Sequence, residues 1–323
     1  MCRRSVSAKH KFLVSISLIS IIIFAISIES ATAFSSFRIK GGAIHEAILK
    51  EALLPIGFEE ESLKPIIRGM NSQDNPLGEK WTKSENHACD NKISEAFAYI
   101  DERTKRAVEL AAEGEHNRKA RHKSLYSFGE ALHSLQDFYS HSNYVEWLVK
   151  NEAPLVPIDR EKVPIQLRTC FYMYESTFCQ EPFKSHAVNI EKLSKRFPGL
   201  KFRSEEEFER RKHENSLESA LDYALRPGHL LHMELNKDNE KELQGKVFSQ
   251  KHNKTLFKLA YSLAVEDTQR QWSLFEAQLR RVYGDRANGI IKALKSDGMR
   301  QQSSFDDNAP KDSKDSFEPE QNQ

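Results

Sequence analysis

From residue 132 to 143 the chain reads Leu-His-Ser-Leu-Gln-Asp-Phe-Tyr-Ser-His-Ser-Asn, so that His133, Asp137 and His141 follow one another at intervals of four. On an α-helix each step of four turns by about 400°, and the three side chains project from one face with roughly 40° of drift per step. Leu132, Leu135, Phe138 and Tyr139 take the opposite face and supply a core. Two imidazoles with a carboxylate between them form a donor set for zinc. The competing reading is a polar helix surface with coincidental histidines. Such a surface more often carries Lys and Glu, whereas this stripe lies in an otherwise apolar helix.

The string from Gly129 to Val145, Gly-Glu-Ala-Leu-His-Ser-Leu-Gln-Asp-Phe-Tyr-Ser-His-Ser-Asn-Tyr-Val, resembles the signature of Het-C-type proteins. Those are in turn distantly similar to the zinc-dependent phospholipase C and single-strand nuclease superfamily, through His-x3-Asp followed by a nearby His and Asn. The resemblance implies an all-α fold, a single multi-helix domain of the zinc-dependent phospholipase C type, and further ligands in chain order. His45 opens the first mature helix, Asp74 follows in a loop after Gly69, and His87 comes next, with Asp90 placed to orient a ligand. Asn236-Lys237-Asp238, then His252 ahead of the last long helix, resembles the closing segment of Het-C-type proteins. The implied cluster holds several zinc ions: one on His87, His133 and Asp74, a second on His45 with Asp137 bridging, and a third on His141 with His252. Asp74 doubles as the catalytic base.

The chain also departs from the superfamily pattern, which ends its ligand set on His-x3-Glu or His-x3-Asp. Here His186, His213, His229, His232 and His252 are followed at that interval by Ile190, Leu217, Met233, Asn236 and Leu256. The superfamily also uses its N-terminal amine as a ligand close before the first His, whereas Phe34, the first residue after the expected cleavage, stands eleven residues ahead of His45.

Helices must position these residues. Ile44, Ile48, Leu49, Ala52 and Leu53 repeat at three and four, and Ile93, Phe97, Ile100, Ala107, Val108 and Ala111 mark a long second helix. The helix that carries the His-Asp stripe is expected to run on to about Val149. A long irregular insertion, 151–184, holds Pro154, Pro157, Pro164 and Pro182. A charged helix is expected from Glu205 to Leu225, stopping at Pro227-Gly228. The stripe from Leu256 to Leu279 predicts a last long helix, with a short amphipathic piece at Ile290–Leu294. Beyond about Ser296 the chain is almost free of apolar residues, and a disordered tail is expected over 297–323.

The first 33 residues read as an address. Arg3, Arg4, Lys9 and Lys11 precede an apolar run from Phe12 to Ile28, which closes on Ala31-Thr32-Ala33. This is the pattern of a cleaved signal peptide, with an uncut signal anchor as the alternative. The expected mature domain is 34–296, secreted or periplasmic. Its cysteines are Cys89, Cys170 and Cys179. Cys170 and Cys179 flank an aromatic run and can close a small disulfide, and Cys89 reads as a small buried side chain.

Composition narrows the chemistry. The 323 residues are 39% hydrophobic and 29% charged, which excludes collagens, multi-pass membrane proteins and fully disordered chains. The net charge is +1, and removal of 1–33 leaves 44 basic and 46 acidic residues, a net −2. That balance lacks the basic footprint of a nucleic-acid binder. The expected function is therefore an exported zinc-dependent phosphodiesterase of phospholipase C type, acting on a lipid headgroup in preference to a nucleic acid. The aromatic segment Phe171–Phe178 reads as a packed hairpin or a flap in peripheral membrane contact. The alternatives are a single-strand nuclease of the same fold, a non-catalytic Het-C-type recognition or toxin module with a protein partner, and a structural zinc site.

Overall fold

A computed structural model describes residues 44–75, 78–171 and 205–296. Ten α-helices lie among them: α1 (Ile44–Leu53), α2 (Glu60–Asn71), α3 (Ile93–Leu110), α4 (Arg118–His141), α5 (Tyr144–Lys150), α6 (Glu205–His213), α7 (Leu217–Leu225), α8 (His232–Leu235), α9 (Leu256–Tyr283) and α10 (Ala287–Ser296). The only named strands among these residues are β1 (Phe248–Ser249) and β2 (Lys254–Thr255), an antiparallel pair two residues long. The all-α expectation is met.

The bundle is built around α4. Asn117 caps its start, the side chain accepting from the Ala120 N–H at 3.1 Å. Its first turns are exposed at Arg118, Lys119 and Lys123, but from Ser127 to its end at His141, and on to Glu146, every residue is buried, so this part of the helix has no wet face. It packs against α2, α3 and α9, and α9 also covers α1. Phe128, Trp272 and Phe275 form the aromatic centre of the core. At the crossing of α2 and α4 the backbones meet without side chains between them. A Cβ on Gly69 would overlap the Tyr126 carbonyl, and one on Gly129 would overlap the Ile66 carbonyl.

Two boundaries and one whole helix differ from the sequence expectation. The stripe-bearing helix stops at His141 instead of running to Val149, because Ser142 is extended and the chain at 168–170 runs beside it. The Cys170 N–H donates to the His141 carbonyl at 2.8 Å, and the Asn143 N–H donates to the Arg168 carbonyl at 3.0 Å. The helix expected over 205–225 is two helices, broken at 214–216, where Ser216 caps α7 through the Ser219 N–H. Helix α2 is not evident in the apolar pattern, since Pro65 stands in its interior where a helix is ordinarily interrupted.

Residues 151–171 run without a helix, as expected for the first part of the insertion. The expected signal peptide, the tail, Cys179, His186 and all but the first residue of the Phe171–Phe178 segment lie outside the described residues. Among the described residues no helix is long and apolar enough to cross a membrane.

Candidate metal centre

Five of the seven residues singled out as ligands meet in one buried cluster. Helix α1 brings His45, the turn after α2 brings Asp74, the 3-10 turn Ser84–His87 brings His87, and α4 brings His133 and Asp137. Each is 2% exposed or less. Asp137 sits at the middle. One carboxylate oxygen, Oδ1, lies 3.1 Å from His45 Nε2. The other, Oδ2, lies 3.2 Å from His87 Nδ1 and 3.1 Å from His133 Nε2.

Asp74 closes the second group, its Oδ1 lying 3.7 Å from His87 Nδ1 and 3.5 Å from His133 Nε2. His87 Nδ1 and His133 Nε2 are 3.1 Å apart. Nitrogen and oxygen donors about 2.0–2.2 Å from a tetrahedral zinc stand roughly 3.3–3.6 Å from one another. Five separations among these donor atoms, at 3.1–3.7 Å, bracket that spacing, and the residues fit the ion.

The protonation states suit it too. Burial alone would raise the Asp137 carboxyl, but the charge of His133 and hydrogen bonds from His133, His45 and His87 hold it well below the ordinary range. Burial lowers His133, which favours the neutral, donor form of the ring. Burial would lower His45 as well, yet its hydrogen bond to Asp137 and the charges of Asp137 and Asp74 raise it. Gln136, which lies in the Gly129–Val145 string but is not among the residues singled out for the site, orients His45. Its Oε1 lies 2.8 Å from His45 Nδ1, and its Nε2 donates to Thr268 Oγ1 at 3.1 Å.

His141 belongs elsewhere, although it shares the stripe. Its Nδ1 lies 3.0 Å from the His87 carbonyl oxygen and 3.2 Å from Cys89 Sγ. Its Nε2 faces Asp238 Oδ1 at 3.6 Å. The partner imidazole is His232, with ring centres 4.5 Å apart, and His232 Nε2 lies 3.9 Å from Asp238 Oδ2. A carboxylate does follow a late histidine, then, but six residues on, across the end of α8. His252 lies partly exposed in the turn between β1 and β2 and joins none of the metal-type groups among the described residues. Asp90 accepts from Ser84 Oγ, within the loop that bears His87.

The Asn236-Lys237-Asp238 segment locks onto the end of α4. Ser140 Oγ donates to Asp238 and, at 3.3 Å, to Asn236 Oδ1. Lys237, wholly buried, donates to the Ser142 carbonyl at 2.8 Å and to Glu146 at 3.1 Å.

The expected Cys170–Cys179 pairing falls outside the described residues, and within them Cys170 faces Cys89. Its Sγ lies 3.3 Å from that of Cys89, and both thiols are buried and unbridged. Burial would raise the Cys170 thiol, but the Cys89 hydrogen bond and the charges of His141 and His232 bring it down to about 5.

The model of the VWA7 N-terminal domain family matches residues 42–162. That stretch holds His45, Asp74, His87, Cys89, His133, Asp137 and His141, and stops short of Cys170, His232 and Asp238. No curated protein and no solved structure matches the chain.

Proposed function

We propose that the chain is an exported zinc-dependent phosphodiesterase of phospholipase C type. The observation that carries the reading is the two-sided use of Asp137, with one oxygen toward His45 and the other toward His87 and His133. A carboxylate shared in this way suits two adjacent cations. His87, His133 and Asp74 would hold one ion and His45 another. Zinc in such a centre acidifies water toward a pKa of about 7 and stabilises charge on phosphoryl oxygens.

The protein's own groups have separate tasks. Asp137 fixes the orientation of three imidazoles at once, and Gln136 holds the His45 ring from behind. Asp74 is the base: it takes a proton from the attacking water as the new P–O bond forms, and that proton passes to the departing alkoxide. The near-neutral mature chain favours a lipid headgroup over a nucleic acid. The Het-C-type resemblance of Gly129–Val145 supports the same superfamily assignment, and the basic-apolar start supports secretion or transfer to a periplasm.

Hydrolysis of phosphatidylcholine vesicles and of single-stranded DNA by the purified chain, with and without chelator, tests the reading. Chelator-sensitive release of the phosphorylated headgroup is the expected result, and Asp137→Asn should abolish it. Nuclease activity alone would move the substrate to nucleic acid. Full activity of the Asn variant would sink the mechanism.

A second reading is favoured by the burial of all five side chains. A metal so enclosed can serve only to hold α1, α4 and the 74–87 turns together, in a non-catalytic recognition module with a protein partner. Chelation would then unfold the domain rather than silence it.

A further inference from the structure

We infer that Cys89, Cys170, His141 and His232 form a second, sulphur-containing zinc site, separate from the His-Asp centre and closed to substrate. The four residues come from four places. Cys89 sits in the loop after the 3-10 turn, His141 is the last residue of α4, Cys170 lies in the segment bridged to the α4 terminus, and His232 opens α8.

Their donor atoms converge. Cys89 Sγ is 3.3 Å from Cys170 Sγ and 3.2 Å from His141 Nδ1, and Cys170 Sγ is 3.4 Å from His232 Nδ1. A tetrahedral site with two thiolates at about 2.3 Å and two imidazoles at about 2.0–2.1 Å has edges of roughly 3.3–3.8 Å. The three observed spacings, 3.2–3.4 Å, lie at or just below the short end of that range, so the donors need to spread by a few tenths of an ångström to take the ion. Both cysteines are fully buried, and their apolar surroundings are Tyr223, Ala224, Leu230 and Leu235. Two sulphurs and two imidazoles select zinc over hard cations, and a full set of four protein ligands leaves no open position for water.

The surroundings are those of ligands held from outside. The far ring edges of His141 and His232 both face Asp238, which is fixed in turn by Ser140. A carboxylate behind metal-binding imidazoles sets their ring orientation. The backbone stitches the cysteines together as well. The Asp90 N–H donates to the Cys170 carbonyl at 2.6 Å, while Asn91 and Thr169 exchange two bonds, at 2.8 Å and 2.9 Å. The competing arrangement keeps a proton on His141 Nδ1, directed at the His87 carbonyl, and turns Nε2 toward Asp238 in a site without sulphur.

Cobalt(II) loaded into the metal-stripped full chain separates the two. A sulphur site gives a thiolate-to-cobalt charge-transfer band in the near ultraviolet, which a site of nitrogen and oxygen lacks. The expected result is a band in the unaltered chain that persists in His133→Ala and Cys179→Ser and is lost in Cys89→Ser and Cys170→Ser. Each of the last two should also lose one zinc per chain. Cobalt uptake without the band overturns the proposal. So does a Cys89–Cys170 disulfide found by peptide mapping of the purified chain. The spectrum of the unaltered chain carries the test even if a serine variant fails to fold. His133→Ala separates this site from the hydrolytic one, because it removes the His-Asp centre alone.

Discussion

His87 and Cys89 stand two residues apart yet point into different donor sets, His87 toward Asp137 and Cys89 toward His141 and Cys170. The residue between them, Ala88, is buried and left-handed, with φ 46° and ψ 43°. A non-glycine residue in that conformation costs on the order of 1–2 kcal/mol, which the packed loop must hold in place. Ala88→Val adds branching where the backbone tolerates it least and bulk where there is no room. It should cost about 2–4 kcal/mol and lower zinc at both sites, as measured by thermal denaturation and elemental analysis.

Asp137→Asn tests the sharing of one carboxylate. The amide keeps the shape but loses the charge that two cations need, so zinc bound by the His-Asp centre should fall to less than half. His45→Ala should remove one ion and leave the His87–His133–Asp74 group loaded. Equal losses in the two variants would mean that Asp137 serves a single ion.

The α2–α4 crossing has its own test. Gly129→Ala places a methyl against the Ile66 carbonyl, and Gly69→Ala does the same against the Tyr126 carbonyl. The helices must move apart, and either variant should lose about 2–4 kcal/mol in chemical denaturation. An exposed alanine would instead stabilise a helix by up to about 1 kcal/mol, so the sign decides whether the contact is real.

Lys237 and Glu146 form a buried ion pair at the foot of α4. Burial raises the Glu146 carboxyl even with Lys237 beside it. Lys237→Ala leaves that carboxyl without its cation and should cost about 3–5 kcal/mol, whereas Lys237→Met with Glu146→Gln should recover much of the loss. Urea denaturation of the single and double variants measures the difference.

Much of the site was legible. His133 and Asp137 could be placed on one helix face by their interval alone, and His45, Asp74 and His87 followed from the resemblance in the order of the chain. His141 was expected on an ion of its own with His252, and it does stand apart from the His-Asp cluster, but beside Cys89, Cys170 and His232. Two steps of roughly 40° drift carry it about 80° around the helix from His133, enough to face another set of partners. Cys89 and Cys170 are 81 positions apart, and no local pattern joins them. Asp238 stands out in the sequence only within the closing segment Asn236-Lys237-Asp238 and not as the partner of His232, because its interval from that histidine is six rather than four. In the fold, Pro65 hid α2, and the apolar pattern continues through the break at Ser142, where only the chain at 168–170 ends the helix.

Helix α4 runs unbroken between Asp137 and His141, so the two donor sets share a rotational phase. One residue added to or removed from that interval would turn everything beyond it by about 100° and shift it by about 1.5 Å. Cys89 and His87 are bound to a common loop and cannot follow such a turn separately. The interval of four is thus a single coordinate for both centres, and drift in it would have to be matched at once by the loop and by the strap at 168–170.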